Sequence, residues 1–76
     1  MAKIILPELG ENIKKATVSY WFHKVGEKIT EKEDLVELST DKATFNLPSP
    51  ASGTLTEILI QEGDTANVGD CLGVIE

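Results

Sequence analysis

Sliding the 76-residue sequence against itself by 37 positions brings like residues together: Thr17 meets Thr54, Val18 meets Leu55, Ser19 meets Thr56, Gly26 meets Gly63, Glu27 meets Asp64, Leu35 meets Leu72 and Leu38 meets Ile75. A chain of this length can build one compact core. The two copies must therefore share it, and the chain reads as a single domain over residues 1–76 with halves at roughly 1–39 and 40–76. In each half the same series of elements recurs. The runs Ala16 to Val25 and Gly53 to Ile60 are short, rich in Val, Ile, Thr and aromatic residues and bounded by glycine, which predicts strands. Each is followed by a turn (Val25-Gly26-Glu27, Glu62-Gly63-Asp64), a brief extended piece (Lys28-Ile29, Thr65-Ala66), a loop and a further strand. The loop Thr30 to Asp34 could begin a helical turn, but its counterpart Asn67 to Cys71 contains Gly69 and has no helical period, so both read as loops.

Strands without helices predict an all-β fold, a flattened barrel or sandwich of two antiparallel sheets related by an approximate two-fold axis. Val18 and Leu55, Trp21 and Ile58, and Leu38 and Ile75 would face the shared core. In both long strands the alternation slips between the first and second of these positions, which predicts a bulge in each. The doubling is uneven in one place. Leu6 to Lys15 stands against Leu47 to Ser52, with Leu6-Pro7 taken as the counterpart of Leu47-Pro48, so one loop has grown. The offset also maps Ile4 onto Asp41 and Ser39 onto Glu76, so the chain ends should lie at the opposite end of the domain from the segment around Asp41.

The formal net charge of -6 and pI near 4.6 disfavour phosphate backbones and anionic membranes, leaving proteins with less acidic surfaces as the expected partners and no nucleic acid or membrane. With 41% hydrophobic and 26% charged residues the composition is that of an ordinary globular protein, expected as a monomer when isolated. Cys71 stands alone, so no internal disulfide forms. A reducing compartment is expected, the bacterial cytoplasm or, in a eukaryote, the mitochondrial matrix. There is no visible export signal and no apolar run long enough to cross a bilayer.

The chemistry-bearing candidate lies in Leu35 to Leu47, two strands with no glycine or proline between them, turning around Asp41-Lys42. An aspartate at the start of a turn can bond its own following backbone and favour the bend, with Lys42 at the tip. Taken alone, an exposed lysine is an ordinary solvated one. His23 aligns with Ile60, which predicts strand packing; with no second histidine and no ligand cluster, no metal site is expected. Trp21 matches Ile58 and so belongs to the core rather than to a stacking platform with Phe22. Cys71 aligns with Asp34, a loop position, and is expected to be partly exposed and incidental. Glu31, Glu33, Asp34 and Glu37 read as a solvated acidic face.

Thr40-Asp41-Lys42-Ala43 in a hairpin, the opening Ile5-Leu6-Pro7-Glu8-Leu9-Gly10-Glu11, the Trp21 strand followed by Val25-Gly26-Glu27, and Pro48-Ser49-Pro50-Ala51-Ser52-Gly53 together resemble the lipoyl domains of 2-oxo acid dehydrogenase acyltransferase (E2) components, over essentially the whole chain. The resemblance implies that Lys42 carries lipoic acid in amide linkage, as a swinging arm. It implies that Asp41 and Ala43 are recognised by the lipoate-attaching enzyme. The loop residues Glu8, Leu9, Gly10, Glu11, Asn12 and Ile13 would be recognised by the decarboxylase. The implied partners are a thiamine diphosphate-dependent decarboxylase (E1), the E2 acyltransferase core and a flavin-dependent dihydrolipoamide dehydrogenase (E3). The domain would not be catalytic by itself but part of a dihydrolipoamide acyltransferase chain, and among the 2-oxo acids the Asp-Lys-Ala form favours pyruvate. Biotin carrier domains are the nearest alternative, but they resemble one another in having Met on both sides of the lysine, where this chain has Asp41 and Ala43. The glycine-cleavage carrier is longer and partly helical. An unmodified structural β-module is the remaining reading.

Overall fold

A computed structural model describes residues 2–10 and 12–76. The strands are β1 (Ala2–Ile5), β2 (Lys15–Trp21), β3 (Lys28–Ile29), β4 (Asp34–Ser39), β5 (Thr44–Pro48), β6 (Gly53–Ile58), β7 (Thr65–Asn67) and β8 (Cys71–Ile75). They form two four-stranded antiparallel sheets, ordered β1-β8-β6-β3 and β5-β4-β2-β7, in a flattened body of 32 × 20 × 17 Å. Each sheet takes its short edge strand from the other half of the chain, β3 on β6 and β7 on β2. This exchange ties the halves together.

The repeat is carried into the backbone. Gly26 N–H donates to Leu55 O at 2.7 Å, and 37 residues on Gly63 N–H donates to Val18 O at 2.7 Å. Leu55 N–H to Glu27 O and Val18 N–H to Asp64 O form a second such pair, both at 2.9 Å. Gly26 (φ 98°) and Gly63 (φ 92°) sit in the left-handed region that makes these turns affordable only to glycine. The expected bulges are present at matching places: register shifts between Val18 and Tyr20 on β4, and between Leu55 and Glu57 on β8. The extra residue resets the inward phase, so that Val18 and Trp21, three apart, both face the core.

Leu35, Leu38, Val18, Leu55, Leu72 and Ile75 are all fully buried, filling the space between the sheets from both halves. Trp21 and Ile58 are not equal in size, and the difference is absorbed by Val36 and Gly73. A Cβ on Gly73 would meet the Trp21 ring at 3.4 Å and the carbonyl oxygen of Glu57 at 2.6 Å, so the indole occupies room that a side chain there would need. The Trp21 Nε1–H donates to Ile60 O at 2.9 Å, satisfying the ring's one polar atom inside the core.

Three expectations are corrected. The long strands end sooner, at Trp21 and Ile58, because the Gly26 and Gly63 turns lead the chain across to the other sheet. The counterpart of Leu6 is Ser49 rather than Leu47: Leu6 N–H donates to Asp70 O and Ser49 N–H to Glu33 O, while Leu6 O accepts from Gly69 N–H and Ser49 O from Lys32 N–H. Leu6 and Ser49 lie 43 apart, whereas Ala16 and Gly53 lie 37 apart, so the grown loop is six residues longer.

The third correction concerns His23, which does not pack in a strand. It lies past the end of β2, with Nδ1 3.1 Å from Glu27 Oε1 and Nε2 3.2 Å from Glu33 Oε1, a polar clamp between the β2–β3 turn and the loop before β4. Glu31, Glu33 and Asp34 are exposed as the acidic-face reading expects, and Glu37 is half-buried. Cys71 is half-exposed at the start of β8, its thiol against Gly73 O at 3.3 Å.

The Lys24 backbone N–H bonded to Glu27, with His23 beside it, holds the Glu27 carboxyl below the usual carboxylate range, against a smaller opposing effect of desolvation. A carboxyl with a depressed folded value stabilises the fold above its unfolded pKa and loses that contribution as pH falls through the folded value. The difference in unfolding midpoint between the wild type and Glu27→Gln should therefore narrow as pH drops below the carboxylate range; thermal unfolding followed across pH checks this.

Candidate functional site: the Lys42 hairpin

β4 and β5 pair from Val36↔Leu47 up to Ser39↔Thr44, and Thr40 N–H donates to Ala43 O at 2.8 Å, leaving Asp41 and Lys42 as a two-residue loop. Two-residue hairpin loops usually take the primed turns, which need positive φ and hence Gly or Asn. Among the described residues positive φ outside glycine occurs only at Asn12 and Lys32, so Asp41 and Lys42 make the bend with ordinary backbone angles. A side chain compensates. Thr40 Oγ1 accepts from Lys42 N–H at 3.3 Å and Ala43 N–H at 3.1 Å, and donates to Ala43 O at 3.0 Å.

The side chain that fixes this turn is therefore Thr40's, whereas the sequence reading assigns it to Asp41. The sequence signal for it is a threonine just before the bend, a residue type that bonds nearby backbone. Asp41, Lys42 and Ala43 are all exposed. Among the described residues no carboxylate lies within ion-pair distance of the Lys42 amine. Beneath the tip the strand is rigidly held, since Leu35, Val36 and Leu38 have no exposed surface.

The long loop comes alongside. Asn12, Ile13 and Lys14 line one open depression together with Asp41 and Lys42, floored by the start of β2 and by Thr65. Glu8 and Gly10 border a neighbouring depression that also takes in Asn12, Ile13 and Val68. Leu9 packs against the core and pins the loop at one end; Val68 N–H to Lys14 O, at 2.9 Å, pins the other. Glu11 lies outside the described residues. Of the chain's seven lysines three (Lys14, Lys15, Lys42) line the first depression, against Asp41 as the one acid among its described lining residues.

The chain ends meet elsewhere. Ala2 pairs with Ile75 in the other sheet, and Glu76 exchanges backbone bonds with Thr54 at 2.7 and 2.9 Å. None of these residues borders the Lys42 depression. The end of β8 stands to β4 as Glu76 stands to Ser39, so the termini take the position related by the axis to the hairpin tip, as the repeat requires.

Residues 2–75 match the family model Biotin_lipoyl, described as "Biotin-requiring enzyme". A solved lipoyl domain of the 2-oxoglutarate dehydrogenase complex from Azotobacter vinelandii aligns with a TM-score of 0.78 and 35% identity, over 97% of this chain and 94% of that one. The chain belongs to the lipoyl-domain family. Lipoyl domains of E2 acyltransferases carry lipoic acid covalently on a lysine. This lipoyl domain is 50% identical over 74 residues to the dihydrolipoyllysine-residue succinyltransferase component of the 2-oxoglutarate dehydrogenase complex of Bartonella vinsonii subsp. berkhoffii, covering 97% of this chain and 18% of that protein. It is 41% identical over 71 residues to the acetyltransferase component of the pyruvate dehydrogenase complex of Staphylococcus aureus, covering 93% and 16%. The domain thus spans less than a fifth of the length of these relatives. Because relatives of both kinds are present, the likeness extends to the lipoyl carrier role the two share, rather than to pyruvate in particular or to biotin.

Proposed function

We propose that Lys42 is the residue that bears the lipoyl group and that the domain serves as the mobile carrier of a 2-oxo acid dehydrogenase complex. The observation that carries this reading is one exposed amine at the apex of a two-residue turn whose supporting strand buries Leu35, Val36 and Leu38 completely. A cofactor amidated there is held by a rigid base while its arm extends into solvent. The residues present fit the group: the site is open, and the small Ala43 leaves the lysine unhindered on one side.

Bound to Lys42, lipoic acid would supply a dithiolane able to accept an acyl group together with reducing equivalents. This chain's own residues do the presenting. Asp41 and Ala43 flank the amine and would be read by the lipoate-attaching enzyme. Asn12 and Ile13 share the tip's depression and would be read by the thiamine diphosphate-dependent decarboxylase (E1). Glu8 and Gly10 extend that face, and Leu9 fixes it to the core. The acyltransferase core (E2) and dihydrolipoamide dehydrogenase (E3) complete the set of partners. Tethering would raise the local concentration of the carried group to the order of millimolar at each active site, set by linker length.

Two parallel reactions test the reading. The apo domain is offered lipoate, ATP and a purified lipoate–protein ligase, or biotin, ATP and a purified biotin–protein ligase, and the intact mass is taken. One lipoyl increment and no biotinyl increment is expected. An unchanged mass with lipoate, or a gain with biotin, would overturn it. Reductive acylation of the lipoylated domain by purified pyruvate and 2-oxoglutarate decarboxylases then identifies the complex.

A further inference from the structure

We infer that Thr40 is a positioning residue for attachment at Lys42, a role that rests on Lys42 being the acceptor. A hydroxyl has one proton and two lone pairs. Thr40 uses all three on the tip: it donates to Ala43 O and accepts the N–H groups of Lys42 and Ala43. Those are the only side-chain bonds made to the backbone of residues 41–43 among the described residues. The demand for them comes from the turn itself. With ordinary φ at both loop residues, the bend does not match the twist of the flanking strands, and the Ala43 N–H turns to the threonine oxygen.

Removing the hydroxyl leaves the ladder below intact from Ser39↔Thr44 downward, because that part is anchored by Leu38 and Val36 in the core. What changes is the tip alone. The Lys42 and Ala43 N–H groups pass to water, which costs little at an exposed site, and the loop gains alternative conformations. The attaching enzyme then meets the flanks of Lys42 in the right arrangement only part of the time. Apparent affinity falls in proportion to the competent fraction, so a tip that is competent about a tenth of the time raises the apparent dissociation constant about tenfold. The chemical step, once docked, is unchanged. Thr40 therefore acts on KM rather than on kcat, which separates it from residues that touch the reacting atoms.

Steady-state lipoate attachment by a purified lipoate–protein ligase, with ATP and lipoate saturating and the apo domain varied, tests this on wild type, Thr40→Val, Thr40→Ala and Thr40→Ser. Thr40→Val, which keeps the shape without the hydroxyl, should raise KM about tenfold with kcat within about twofold. Thr40→Ala should behave alike, and Thr40→Ser should restore the wild-type KM. Amide hydrogen exchange at Lys42 and Ala43 should quicken in the first two variants and not in the third. Wild-type KM in Thr40→Val and Thr40→Ala overturns the inference even if exchange quickens, since the bonds would then serve the turn and not attachment. Failure of Thr40→Ser to restore KM also overturns it. If the wild type itself takes no lipoate, the reading of Lys42 falls and takes this inference with it, a result distinct from equal modification of all four proteins.

Discussion

Lys42→Arg should abolish lipoate attachment completely while leaving the thermal midpoint within about 3 °C of wild type. Arginine keeps the charge and nearly the length of the side chain, but its guanidinium does not deprotonate in proteins and offers no nucleophilic lone pair. Stability should not follow, because Lys42 is exposed, its ammonium pairs with no carboxylate among the described residues, and the turn is held by Thr40. Intact mass after treatment with ligase, together with a melting curve, measures both halves of this expectation. A large loss of stability would show that the lysine is structural, and residual modification would show that another amine is used.

The largest loss of stability should come from Leu38→Ala. Leu38 has no exposed surface, sits in the second strand of its sheet, and pairs with Val18 on one side and Phe45 on the other. Truncating such a leucine costs about 2–5 kcal/mol, the lost transfer energy plus the cavity left between two sheets that cannot collapse onto it. A domain of this size is stable by only about 4–11 kcal/mol, so the variant is left with a fraction of that margin. A loss near 3 kcal/mol corresponds to a midpoint about 12–24 °C lower, readable by calorimetry or circular dichroism. A drop of only a few degrees would mean that β4 is not the anchor of the hairpin, and the rigid base proposed for Lys42 would be lost with it.

The doubling makes most of the architecture legible in the sequence. Matched glycines at 26 and 63 become matched turns bonded to Leu55 and Val18, and the slip in alternation becomes a pair of bulges at equivalent places. The place of the hairpin is legible for the same reason, since the offset that sends Ser39 to Glu76 separates it from the chain ends, which pair in the other sheet. Letters and backbone part company in three places. Leu-Pro occurs twice and its letters match, yet the hydrogen bonds equate Leu6 with Ser49. A serine can take a leucine's buried place only because its hydroxyl donates to Ala51 O at 2.6 Å, a local partner that no periodicity reveals.

His23 shows the same limit. Alignment with Ile60 predicts a packing residue, but β2 ends at Trp21, and the ring two residues later turns to Glu27 and Glu33, whose spacing from it in sequence carries no obvious signal. At the tip, the general preference of aspartate for turns points to Asp41 as the turn former. The actual bonds come from Thr40, one residue earlier, because the loop avoids the φ > 0 conformations in which a primed turn would need no such help.

Seven lysines are available to the attaching enzyme, and Lys14 and Lys15 line the same depression as Lys42, so exposure and neighbourhood alone do not choose among them. Only Lys42 stands on a two-residue turn raised from a strand anchored by the buried Leu35, Val36 and Leu38. Peptide-resolved mass spectrometry of the enzymatically lipoylated domain separates geometry from mere accessibility. The whole increment should fall on the peptide containing Lys42 and none on those containing Lys14 or Lys15; modification spread over the three, or settled on Lys14 or Lys15, would contradict the presentation of a single amine by the hairpin.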